Sequence, residues 1–133
     1  MNYGDMMSLA LDAREKAYAP YSDFRVGAAL LTESGKVYLG CNIENAAFTP
    51  TCCAERTAFF TAIASGERSF KAIAVVGGKG NVISEETFPC GVCRQVMVEF
   101  CDKDFVILTG TPDTYKSRTL EEVMPFAFSA KDI

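Results

Sequence analysis

The order of apolar segments predicts an α/β protein, a three-layer α/β/α sandwich in which helices cover both faces of a mixed sheet. Three observations carry this expectation. Two apolar runs near residues 26–41 are followed by a strand, helix, strand alternation, which implies right-handed crossovers onto a partly parallel sheet with a hairpin as its antiparallel edge. Segment 71–76 (KAIAVV) is apolar after its first residue, as strands buried on both faces are. The composition, 49% hydrophobic and 23% charged with ten Phe and no Trp, is that of a globular chain, and 133 residues suit one domain spanning 1–133.

Each element has its own local reason. From Asn2 to Tyr18 apolar residues, among them Met6, Met7, Ala10 and Leu11, recur at helical spacing until Pro20 stops the pattern, predicting a first amphipathic helix. Residues 26–32 (VGAALLT) and 37–41 (VYLGC) flank Glu33-Ser34-Gly35-Lys36, a short Gly-containing link that reads as a β-hairpin. Residues 42–51 are loop. A second helix is expected from Cys52 or Cys53 to Ser65, with Gly66 as its stop. After strand 71–76, the run from Gly77 to Asn81 reads as a turn. Pro89, whose fixed φ suits a first helical turn, opens a third helix that ends near Cys101. Residues 105–109 (FVILT) are a further central strand. Thr119-Leu120-Glu121-Glu122 is a capping-box pattern that opens a last short helix ended by Pro125.

Charge and composition narrow the function. Asp5, Asp12, Arg14, Glu15 and Lys16 break up the start of the chain, leaving no apolar stretch for a signal peptide or membrane span, so a cytoplasmic protein is expected. In that reducing setting six cysteines are expected to be core residues, catalysts or metal ligands rather than a disulfide framework. A net charge of −4 provides no basic footprint for nucleic acid or a membrane surface; a small neutral ligand fits better. Histidine is absent, so metal ligands and any general base must come from Cys, Asp, Glu or Lys.

Against that background, Cys53-Ala54-Glu55 and Pro89-Cys90-Gly91-Val92-Cys93 supply the parts of a catalytic zinc site. Cys90 and Cys93, three apart on a helix, share one face and can grip a metal; Cys53 completes a tripod and leaves a fourth position for water. Cys53 and Glu55 would diverge in mid-helix, but side chains of a first turn tilt toward the N-terminus. A metal lying off the helix end is then within reach of Cys53 while Glu55 addresses what the metal binds. Three thiolates on Zn²⁺ carry a net charge of about −1, which opposes ionisation of a bound water. Two helix N-termini and a nearby arginine offset this, Arg56 being favoured over Arg94 because it adjoins both Cys53 and Glu55.

The stretches "NIENAAFTPTCCAERTA" and "PCGVCRQ", with similarity extending from "AYAPYSDFRVGAAL" to "PFAFS", resemble the small cytidine deaminases of the homotetrameric type. That resemblance implies a mixed five-stranded sheet, one Zn²⁺ per chain and a homotetramer with active sites shared between subunits. It implies hydrolysis of cytidine and deoxycytidine to uridine and deoxyuridine with loss of ammonia. In that chemistry Glu55 takes a proton from water activated by the metal, passes it to N3 of the base and later delivers a proton to the departing amine, while the water oxygen attacks C4. It further implies that Asn42, Ile43 and Glu44 of "CNIEN" bind substrate, Asn42 and Glu44 through the ribose hydroxyls. Phe24 would stack on the pyrimidine, the Ala54 backbone would bind the base edge, and Phe128 would reach a neighbouring subunit's site. Phe48 stands where many of these enzymes have tyrosine, which removes a hydroxyl from a subunit contact.

Plainer readings compete at several positions. Cys41, Cys52 and Cys101 read as buried thiols, although Cys52 is the rival to Cys53 as ligand and would be the fourth ligand of a purely structural zinc module. Without the resemblance, Asn42 and Glu44 are equally loop residues, and Phe24 and Phe128 are core or interface. A cytosine-bearing antibiotic such as blasticidin S is an alternative substrate, and a polynucleotide is disfavoured by the acidic chain.

Overall fold

The protein is described by a computed structural model covering residues 1–133. A five-stranded mixed sheet runs in the order β2-β1-β3-β4-β5, with β1 Phe24–Thr32, β2 Val37–Cys41, β3 Phe70–Lys79, β4 Val106–Gly110 and β5 Tyr115–Thr119. The β1/β2 hairpin forms one edge, β1 pairs antiparallel with β3, β3 pairs parallel with β4, and β5 returns antiparallel on the other edge. Helix α1 (Tyr3–Arg14) covers one face; α2 (Ala54–Ala64), α3 (Gly91–Phe100) and the short α4 (Leu120–Val123) lie toward the other. The three-layer architecture expected from the sequence is present.

Alternation along the central strands explains why they read as unbroken apolar runs. Ala28, Leu30, Ile73 and Val75 face the core under α2 and α3, built around Phe59, Met97 and Phe105. Ala29, Leu31, Ala72, Ala74 and Val76 face α1, where Met6, Met7 and Ala10 are fully buried. With both faces covered, neither set of side chains can be polar.

Four local expectations are corrected. Helix α1 ends at Arg14 rather than near Tyr18, because Arg14 is buried and donates to the carbonyls of Arg25, Gly78 and Gly80 at the ends of β1 and β3, while Tyr18 leaves the helix to pair with Ile43. Gly77, Gly78 and Lys79 are not a turn but the end of β3, paired with Val26, Arg25 and Phe24; the chain turns at Gly80. Glycine is required there by a crossing loop, since a Cβ on Gly77 would lie 2.6 Å from the Thr87 hydroxyl. Pro89 precedes the cap of α3, and Cys90 is the N-cap. Finally, β5 has no counterpart in the elements read from sequence pattern, since its residues are mostly exposed and carry no apolar alternation.

Candidate active site

The two helices that follow β2 and β3 each start with a cysteine in the capping position. Cys53 caps α2 and Cys90 caps α3, both with extended backbone and neither using its side chain for a capping hydrogen bond. Ser, Thr, Asp or Asn would normally occupy such positions and bond the first-turn N–H groups. The sulfurs are therefore free to turn away from their own helices, while the positive ends of both helix dipoles remain directed at them.

Cys53, Cys90 and Cys93 bring their sulfurs within 4.8 Å of one another. Cys53 Sγ lies 3.8 Å from Cys90 Sγ, and Cys90 Sγ lies 3.6 Å from Cys93 Sγ. A tetrahedral zinc with Zn–S bonds of about 2.3 Å sets sulfurs about 3.8 Å apart, so donor type and spacing both fit that ion. Cys52 stands outside the cluster, which leaves three ligands and not the closed set of four typical of a structural zinc. The Arg56 Nη2 donates to Cys53 Sγ at 3.3 Å. Arg94 is committed elsewhere, donating to the carbonyls of Pro89 at 2.8 Å and Val123 at 2.7 Å and so pinning the approach to α3.

The electrostatics follow from these contacts. Hydrogen bonds from the Cys93 thiol, from Arg56 and from Cys90 pull the Cys53 thiol down to about 5. Cys93 is held far above the ordinary thiol range by its hydrogen bond to Cys53 and by burial. Burial raises Cys52 as well, so it stays a neutral thiol. Glu55 is 4% exposed, and its loss of water pushes its carboxyl up to about 7. A carboxyl at that value can hold or release a proton near neutrality.

A cavity of about 240 Å³ opens beside the cluster, room for one small molecule. Glu55, Cys53 and Cys90 line it together with Phe24, Asn42, Glu44 and Ala54. Asn42 is nearly buried and braces β1, its Oδ1 accepting from the Val26 N–H at 2.9 Å and its Nδ2 donating to the Phe24 carbonyl at 2.8 Å. One of its amide protons is left over for a ligand. Glu44 accepts from the N–H groups of Tyr21 and Ser22 and from the Ser22 hydroxyl, and these bonds hold its carboxyl below the usual range. Ala54 is the first residue of α2, so its N–H has no partner within the helix.

Two predicted residues lie elsewhere. Ile43 is 48% exposed and does not line the cavity; both its backbone groups pair with Cys52, so its part is to hold the loop against the start of α2. Phe128 lines a larger groove of about 860 Å³ between the end of α3, α4 and the C-terminal segment, away from the cavity of its own chain. The sequence reading missed Ser22, Thr87 and Phe88, which also line the small cavity. Phe88 was within reach of inference, since it immediately precedes Pro89-Cys90; Arg118 sits over its ring at 5.2 Å from the centroid and reaches Glu86 and Thr109.

Residues 2–109 match the family model described as the cytidine and deoxycytidylate deaminase zinc-binding region. A cytidine deaminase of Sporosarcina psychrophila is 48% identical over all of this chain and 96% of its own length. The crystal structure of cytidine deaminase from Burkholderia pseudomallei superposes with a TM-score of 0.89 at 44% identity, covering 96% of this chain and 100% of that one. A blasticidin-S deaminase of Bacillus cereus is more distant, 28% identical over 88% of this chain and 87% of its own.

Proposed function

Since the chain belongs to the family of cytidine and deoxycytidylate deaminases with a zinc-binding region, we propose that it hydrolyses cytidine and deoxycytidine to uridine and deoxyuridine with release of ammonia. The observation that carries this reading is Glu55, a buried carboxyl two residues beyond Cys53 but outside the sulfur tripod, lining the same cavity as Phe24, Asn42 and Glu44.

Cys53, Cys90 and Cys93 would hold one zinc ion per chain. Bound there, the ion supplies the Lewis acidity that lets water be deprotonated near neutral pH. Glu55 takes the water proton and gives it to N3 of the base, which makes C4 electrophilic as the new C4–O bond forms. The same carboxyl then moves the hydroxyl proton from the oxygen on C4 to the amine, and the C4–N4 bond breaks to release ammonia. One group carries both protons, which requires it to lie beside the cluster without ligating it. Arg56 steadies the Cys53 thiolate. Phe24 offers a face for the pyrimidine, the Ala54 N–H meets the base edge, and Asn42 and Glu44 receive the sugar. A neutral substrate suits this cavity, whose only charged groups beside the cluster are carboxyls. The greater likeness to cytidine deaminases than to the blasticidin-S enzyme favours the nucleoside over the antibiotic.

We further propose that residues 1–133 work as one cytoplasmic domain in pyrimidine salvage, and that four copies associate with Phe128 of one reaching the cavity of another. Its exposure, and its placement away from its own cavity, support that arrangement. The deciding experiment measures bound metal and cytidine-dependent ammonia release on one purified sample. Wild-type protein is expected to carry about one zinc per chain and turn over cytidine. Glu55→Ala should keep metal and fold and lose at least about a thousandfold in kcat. A Glu55→Ala protein as active as wild type would overturn the mechanism.

A further inference from the structure

Ser22 links two residues of the cavity, Glu44 and Phe24, that share no hydrogen bond of their own. Its hydroxyl donates to Glu44 Oε2, its backbone N–H donates to Glu44 Oε1 at 3.2 Å, and its Oγ accepts from the Phe24 N–H at 2.9 Å. All three residues line the cavity. A hydroxyl has one proton, and here it is spent on Glu44; an ionised carboxylate has none. Oε1 already accepts from Tyr21 and Ser22, so Oε2 keeps the more accessible lone pair. This end of the cavity therefore offers acceptors and matches a ligand group that donates, which for a nucleoside is a sugar hydroxyl.

Resting on the deaminase reading above, we propose that Ser22 is a positioning residue, which ties the carboxylate that receives the sugar to the backbone beneath the ring that receives the base. The loop 19–23 that carries Ser22 is closed on itself and tied to the end of β3 through Asp23, whose N–H donates to the Ala19 carbonyl and whose carbonyl accepts from the Gly80 N–H, but at Tyr21 and Ser22 the backbone N–H groups are held by the Glu44 carboxylate. Without the hydroxyl, Glu44 loses one of three donors and the Phe24 N–H loses its acceptor, so the angle between sugar site and base site is no longer set. The effect belongs to substrate binding. The proton path through Glu55 is separate, and kcat depends little on it.

The test compares wild type, Ser22→Ala and Ser22→Thr on cytidine and on 2′,3′-dideoxycytidine, with zinc content measured in each. On cytidine, Ser22→Ala is expected to raise KM about tenfold with kcat within about threefold of wild type. On the dideoxynucleoside, which lacks the 2′- and 3′-hydroxyls that this proposal directs at Glu44, Ser22→Ala and wild type should agree within about twofold. Ser22→Thr, which keeps the hydroxyl, should return KM for cytidine to within about threefold of wild type. An equal loss on both substrates marks a merely structural residue and overturns the proposal, as does an unchanged KM or a threonine variant as impaired as the alanine one. If wild type itself leaves cytidine untouched, the deaminase reading falls and this inference with it; normal wild-type turnover with any of the other adverse results overturns this inference alone.

Discussion

Arg56 lies one helical turn beyond Cys53 and donates to its sulfur at 3.3 Å, in a site where three thiolates would repel one another. Removing that donor leaves the cluster less able to keep all three sulfurs ionised, and contacts of this kind contribute about 10–100-fold to metal affinity. Arg56→Ala is therefore expected to lower zinc affinity by about that factor in a chelator competition, whereas Cys52→Ala, whose thiol lies outside the cluster, should leave it unchanged. Loss of zinc in the Cys52 variant would restore the four-ligand structural reading. At this scale the convergence of three sulfurs beside Glu55 was legible, because it follows from residue types at fixed spacing, which are written linearly. Ser22 was not. Its place in the cavity wall comes from contact with Glu44, 22 positions away, and nothing in the pattern around a loop serine encodes that.

Helix α2 has to bring Cys53 and Glu55 to a fixed depth over the sheet edge, and Gly40 of β2 sets that depth. A Cβ at Gly40 would lie 2.6 Å from the Ala58 N and the Thr57 Oγ1 and would overlap the Ala54 carbonyl, so the first turn of α2 rests directly on the strand backbone. Thr57 adds a tie, its hydroxyl donating to the Cys41 carbonyl at 2.8 Å. At its centre the helix is held by Phe59, fully buried and edge-on to Phe70 at 5.1 Å. Gly40→Ala should cost about 1–3 kcal/mol and weaken zinc retention together, since the helix start must lift. Gly35→Ala, in a hairpin turn at φ 93 with open space around it, should cost about 1 kcal/mol in thermal unfolding and leave zinc retention untouched. Equal zinc loss in both variants would separate Gly40 from the site. Helices and central strands were legible from apolar period alone. What escaped was β5, an exposed edge strand, and the role of Gly77 and Gly78, where glycine admits a crossing loop and its sequence signal is that of a turn.

Over the whole molecule, Phe48, Phe126 and Phe128 are left at 71%, 105% and 60% exposure, more aromatic surface than a chain this small ordinarily shows to water. Light scattering is expected to return four times the 14.5 kDa of one chain. A monomer mass would remove the shared-site arrangement while leaving the chemistry of the single cavity in place. Apolar surface of this kind was visible in the sequence as aromatic content, but which rings the core would absorb depended on packing: Phe59, Phe70 and Phe105 were absorbed, and the three near the loops and C-terminal segment were not. The tripod has a last consequence, for the order of events in a newborn chain. Cys53 is made about forty residues before Cys93, and the two meet only when the caps of α2 and α3 stand side by side. Until then the Cys90–Cys93 pair is a two-armed grip from which metal escapes easily. The full three-sulfur grip therefore exists only in the assembled fold, and metal held tightly is metal held by a chain whose two helix starts have already been brought together.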